Sequence, residues 1–146
     1  MSGALHLPRT ILHAVQTHAH DAAPDECVGL LFGHEAQVTR SVELTNRAPT
    51  PRTRFFADPQ ELVYALSRAD ARGETLLAVY HSHPNGAAFP SATDVAAARY
   101  DTALLIVTPT EVRAFGLGGQ HIWELKLVIT PQTVWFGQAP NLLEPE

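Results

Sequence analysis

The feature that most constrains this chain is the apolar run Leu76-Leu77-Ala78-Val79-Tyr80, which passes directly into His81-Ser82-His83-Pro84. A short apolar run of this kind reads as a buried strand. Side chains alternate between the two faces of a strand, so His81 and His83 share one face and Ser82 takes the other. Two imidazoles on one face need only a nearby carboxylate to complete the three-ligand set used by catalytic zinc, which leaves a fourth position for water. Asp94 is the natural third ligand. Pro84, Gly86 and Pro90 shape a loop that allows the helix starting at Ser91 to fold back beside the strand end.

The rest of the chain reads as elements able to pack around that strand. Ile11, Leu12 and Val15 recur at helical spacing from Pro8 to about His20. Glu26 through Phe32 is an apolar strand turning at Gly33-His34-Glu35 into Gln37–Leu44. Thr45–Arg54, with Pro49 and Pro51, is a loop. Asp58-Pro59 opens a second helix with the stripe Leu62, Val63 and Leu66, ended by Gly73. A third helix is expected from Ser91 to about Tyr100. Three strands follow at Leu104–Thr108, Glu111–Leu117 and His121–Ile129, and the tail 137–146 is expected to be loosely ordered. Strands outnumber helices and the last three are joined by short turns, which predicts an α+β fold with a central mixed or antiparallel β-sheet flanked by helices.

Composition narrows the class of protein. At 146 residues, 45 % hydrophobic and 17 % charged, the chain has the size and make-up of one folded domain over residues 1–146. A formal net charge of −5 with scattered arginines argues against a general nucleic-acid binder. Cys27 is the single cysteine, so an internal disulfide, a thiolate zinc cluster and the paired cysteines of nucleobase deaminases are excluded. No apolar stretch reaches the roughly 20 residues needed to cross a bilayer. The N-terminus lacks the form of a secretory signal. The expectation is a soluble cytoplasmic protein.

Each candidate also has a plainer role. Ser91 and Asp94 can form a capping box at the helix start, with no further purpose. A cap, however, does not need two same-face histidines a short loop upstream. Hydrolysis also needs a base beside the metal. Glu26, at the start of a buried strand, is placed to be one, although it equally reads as a solvated strand start. His13, His18, His20 and Asp21 read as a solvated helix face rather than a metal site. Cys27 reads as a small buried hydrophobe.

Glu26, then His81-Ser82-His83-Pro84, six intervening residues and Ser91-Ala92-Thr93-Asp94 resemble the JAMM motif of the MPN+ metalloproteases, with every position filled. Pro24 through Gly33, Asn46, and Arg54-Phe55 before Asp58-Pro59 resemble the compact prokaryotic branch, over about residues 8–130. The resemblance implies a cytidine-deaminase-like MPN domain with one Zn2+ held by His81, His83 and Asp94. It implies Glu26 as general base and then acid, and Ser91 as hydrogen-bond donor to the oxyanion. It further implies cleavage after the C-terminal Gly-Gly of a ubiquitin-like or sulfur-carrier partner of the ThiS/MoaD type, at a peptide or isopeptide bond. Arg47, Arg52 and Arg54 are candidate contacts to that carrier, whose tail would add to an exposed sheet edge. Free edges would also let two copies pair as a homodimer. RadC-like DNA-repair-associated proteins and inactive metal-binding MPN scaffolds are the competing readings.

Overall fold

The computed structural model describes residues 3–97 and 102–131. The elements run β1 (Ala4–Pro8), α1 (Arg9–Ala22), β2 (Val28–His34), β3 (Gln37–Leu44), α2 (Pro59–Ala71), β4 (Thr75–Ser82), α3 (Ala92–Ala97), β5 (Ala103–Val107), β6 (Val112–Gly118) and β7 (His121–Thr130). The expected continuation of α3 to Tyr100 and the tail 137–146 lie outside the described residues.

The sheet is mixed, in the order β1-β3-β2-β4-β5-β6-β7, and it closes on itself as a barrel. The β2–β3, β2–β4, β5–β6 and β6–β7 pairs are antiparallel, while β4 pairs with β5 and β1 with β7 in parallel. Closure at the last seam is slight, with His6 opposite Gln37 and its N–H donating to the Ala36 carbonyl at 2.9 Å. Closure replaces the free sheet edges expected from the sequence, and β1 is a strand that no local pattern announces. Leu5 and Leu7 do alternate inward, but their partner β7 is at the far end of the chain. Among the described strands, β1 and β3 meet only at the His6–Gln37 pair, so beyond it both strands lack a ladder partner along this seam.

Alternation along β2 sorts the core into two faces. Cys27 and Leu31 pack with Ile11 and Val15 of α1, whereas Val28, Leu30 and Phe32 pack with Ala65 and Ala69 of α2. Strand β5 does the same, sending Leu105 and Val107 to the α1 side and Leu104 and Ile106 to the side covered by the loop before α3. Helix α2 starts where its sequence dictates. Asp58 accepts the Glu61 N–H at 3.0 Å, and Pro59 occupies the first turn. The β2–β3 turn falls one residue later than expected, on Glu35 and Ala36, which adopt φ of 50° and 67° without a glycine.

One glycine is required by packing. A Cβ on Gly29 would lie 2.2 Å from the ring of Tyr80, a fully buried side chain on the neighbouring strand. The Tyr80 hydroxyl is tied to His18 Nδ1 at 2.7 Å, so the ring has little freedom to retreat. Gly29→Ala is therefore expected to cost about 1–3 kcal/mol through overpacking, read as a lower urea midpoint at unchanged m-value.

Candidate functional site

Strand β4 sits between β2 and β5, with His81 opposite Val28 on one side and Ile106 on the other. Ladder bonds on both sides fix the backbone that carries the first histidine. His83 lies one residue past the strand end, held by its N–H to the Val107 carbonyl at 2.9 Å. Its ring is also fixed. Nδ1 lies 2.8 Å from the Ala87 carbonyl, which can only accept, so Nδ1 carries the proton and Nε2 presents a lone pair. The loop through Pro84 and Gly86 provides this carbonyl, and then returns the chain to Ser91 at the start of α3.

The sequence predicted that His81, His83 and Asp94 would meet, and they do. His81 Nε2 and His83 Nε2 are 3.0 Å apart, and Asp94 Oδ2 lies 3.1 and 3.2 Å from them. A tetrahedral ion with ligands at 2.0–2.1 Å separates them by about 3.3 Å. Three acceptor atoms crowded this closely repel one another unless a proton or a cation lies between them. The donor set fits a divalent metal. His81 is fully buried, its Nδ1 without a hydrogen-bond partner among the described residues, and Phe55 stacks on its ring at 4.5 Å.

The plainer role foreseen for Ser91 and Asp94 is present as well. Ser91 Oγ accepts the Asp94 N–H at 3.0 Å, and the Ser91 N–H donates to Asp94 Oδ2 at 2.9 Å. The cap thus holds the carboxylate oxygen that faces the histidines. The Ser91 hydroxyl keeps its own proton to donate, and the residue is exposed.

Electrostatics sort the cluster by burial. Burial alone would raise the Asp94 carboxyl, but its contacts with His81 and His83 outweigh it and hold the group well below the usual range. Burial pushes His81 down, while the hydrogen bond to Asp94 draws His83 up. Glu26 completes the group. Its carboxylate and the two histidine nitrogens lie within 4.8 Å of one another, and burial raises it to about 7. Among the described residues, the hydrogen bonds that hold Glu26 are made by its backbone: N–H to the Pro51 carbonyl at 2.7 Å, and carbonyl from Asn46 Nδ2 at 2.9 Å. The side chain borders an open groove shared with His18, Glu43, Asn46 and Glu61.

Other expectations fared unevenly. Arg47 is engaged with the cap of α2, its Nε 2.9 Å from Asp58 Oδ2, while Arg52 and Arg54 are exposed on the loop between β3 and α2. His18 is not a solvated residue, since it meets Tyr80 edge-on and by hydrogen bond. Cys27 is buried and its thiol is pushed up to about 11 by burial, as suits an inert hydrophobe. Roles for Phe55, Asn46 and the Ser82 hydroxyl emerge only from the structure. Asn46 clamps the loop, donating to the Glu26 and Arg54 carbonyls and accepting from Ala48 and Phe56. On the Asp94 side, an apolar cavity of about 190 Å³ is bounded by Val28, Phe55, Leu62, Val79 and Leu104.

Comparison with known proteins gives the family. The profile of the prokaryotic homologs of the JAB domain matches residues 8–118. The chain is 41 % identical over 119 residues to a probable TtuB-protein conjugate cleaving protease of Thermus thermophilus, covering 81 % of this chain and 80 % of that one. It is 30 % identical over 126 residues to a desampylase of Pyrococcus furiosus, covering 84 % and 89 %. A CysO-cysteine peptidase of Mycobacterium tuberculosis is 30 % identical over 102 residues, covering 68 % and 69 %. Among solved structures, a Desulfitobacterium hafniense protein superposes with a TM-score of 0.79 at 27 % identity, over 88 % of this chain and 94 % of that one. A JAB1/MPN domain protein from Archaeoglobus fulgidus shares the fold, with a TM-score of 0.61 at 20 % identity over 88 % and 100 %.

Proposed function

This chain belongs to the prokaryotic homologs of the JAB domain, and from that membership we propose that it is a zinc-dependent peptidase acting after the C-terminal Gly-Gly of a ubiquitin-like sulfur-carrier protein. The observation that carries the reading is the convergence of His81 Nε2, His83 Nε2 and Asp94 Oδ2 within 3.2 Å, with the Glu26 carboxylate alongside. An inactive scaffold would have no need of this base. A RadC-like role has no support in the relatives, which are named for conjugate cleavage and peptidase activity.

Bound by His81, His83 and Asp94, zinc would polarise the scissile carbonyl and make a water acidic enough to attack near neutral pH. Glu26 takes the proton of the attacking water and returns it to the leaving amine, a cycle that a carboxyl raised to about 7 performs well. His83 is held in the ligating tautomer by the Ala87 carbonyl. Ser91 donates its hydroxyl proton to the oxygen on which negative charge develops. Removal of such donors costs about 10²–10³ in kcat, so Ser91→Ala is expected to lose turnover by that factor. Ser91 is also the cap that holds Asp94, so bound metal is measured alongside turnover, and a loss of metal would assign the effect to the cap. Arg52 and Arg54, exposed on the loop between β3 and α2, offer contacts to the carrier.

The test is to incubate the protein with a ubiquitin-like carrier fused through Gly-Gly to a reporter peptide. Cleavage should stop in chelator and return with added zinc. Cleavage that persists in chelator would contradict the reading.

A further inference from the structure

Ser82 separates the two histidines and points away from them, toward α1. It is buried, and its Oγ accepts the Cys27 N–H at 2.8 Å while its own N–H donates to the Cys27 carbonyl at 3.2 Å. The β2–β4 ladder proper ends at Val28 opposite His81, so Ser82 extends the pairing by one residue beyond it. That residue is the one next to Glu26.

The peptide unit joining Glu26 to Cys27 is therefore held at both ends. Asn46 Nδ2 binds its carbonyl oxygen at 2.9 Å, and Ser82 Oγ binds its N–H at 2.8 Å. Fixing this plane fixes the backbone torsion that aims the Glu26 side chain. Glu26 precedes β2 and has no ladder bonds of its own, so these contacts and its N–H bond to Pro51 do the aiming. We propose that Ser82 is a positioning residue, which sets the direction of Glu26 relative to the ligands that flank Ser82 on the same strand. The proposal rests on the reading of Glu26 as the base. Its physical sense is that one residue ties the base to the strand that carries two of the three ligands, so neither can shift without the other.

The prediction separates positioning from general support of the fold. Ser82→Ala leaves the buried Cys27 N–H without its acceptor and frees the Glu26 peptide. A misplacement on the order of 1 Å is worth about 10² in rate, so kcat should fall by about that factor with KM and bound zinc unchanged. Ser82→Thr keeps the acceptor, and its added methyl can enter the cavity of about 330 Å³ that Ser82 borders with Gln16, Ala23 and Val107. Thr should therefore restore turnover.

In a Glu26→Gln background, where no base remains to aim, Ser82→Ala should cause no further loss. The four variants and the wild type are assayed on the Gly-Gly reporter fusion, with zinc content measured on each. Wild-type kcat in Ser82→Ala, loss of its zinc, or an equal drop in the Glu26→Gln background would overturn the proposal. Wild-type turnover in Glu26→Gln alone would instead overturn the base assignment, and the Ser82 proposal with it. Should Ser82→Ala fail to fold, Ser82→Thr carries the test: wild-type turnover is expected, and its loss overturns the role.

Discussion

Glu26→Gln lowers kcat by about 10²–10⁴, the usual contribution of a general acid–base group, while zinc content stays at the wild-type level. The amide keeps the size of the side chain but cannot take a proton from water. In the proposed mechanism Asp94 Oδ2, 3.1 and 3.2 Å from the two histidine nitrogens, completes the ligand set, so replacing Glu26 should leave metal binding intact. Steady-state kinetics with metal analysis on the same preparation checks both halves.

The pH behaviour of the same residue follows from its burial. Glu26 acts as base only when ionised, so kcat/KM should fall as pH drops through its acid limb. That limb lies at or below about 7, since a divalent cation nearby can only lower the value reached without metal. Stability runs the other way. A carboxyl raised on folding is most favourable when protonated, so metal-free protein is most stable below the unfolded value and loses stability as pH rises through about 7. Metal-free Glu26→Gln should lack this loss, and so be more stable than wild type at pH 8. Urea midpoints at pH 5 and pH 8 compare the two proteins, and an unchanged difference between them would count against a buried, raised Glu26.

His81→Ala has the larger consequence for the metal. It removes an imidazole of the proposed ligand set that is fully buried, on a backbone held by β-ladder bonds on both sides. It also leaves Asp94 Oδ2 with one imidazole partner fewer. Zinc affinity should collapse, and activity with it. Thermal melting reads this without substrate. A metal present at 100 times its Kd stabilises the native state by about 2.7 kcal/mol, so chelator should lower the melting temperature of wild type and leave that of His81→Ala unchanged. A variant that still melts lower in chelator would show that His81 is not a ligand.

These residues were largely legible because their relation is local. The period of two along β4 puts His81 and His83 on one face, and the prolines and glycine between His83 and Ser91 bring Asp94 back. Asp58-Pro59 likewise announces α2 by the chemistry of its first turn. What escaped notice depends on contacts between distant segments. Strand β1 is five residues long and finds its partner in β7, beyond the reach of any local pattern. Phe55 stacks on His81, Asn46 holds the Glu26 carbonyl, and Ser82 holds Cys27, each across 20 or more positions of sequence. His18 was misjudged for the same reason: its partner Tyr80 is 62 residues away.

The proposed peptidase cuts one bond, the amide that follows Gly-Gly. Intact-mass spectrometry tests this on a ubiquitin-like sulfur carrier bearing extra residues after that pair, incubated with the zinc-loaded protein. A single carrier product ending in the second glycine is expected, absent in chelator and absent with Glu26→Gln. An uncut fusion, or a product ending at any other residue, would contradict it.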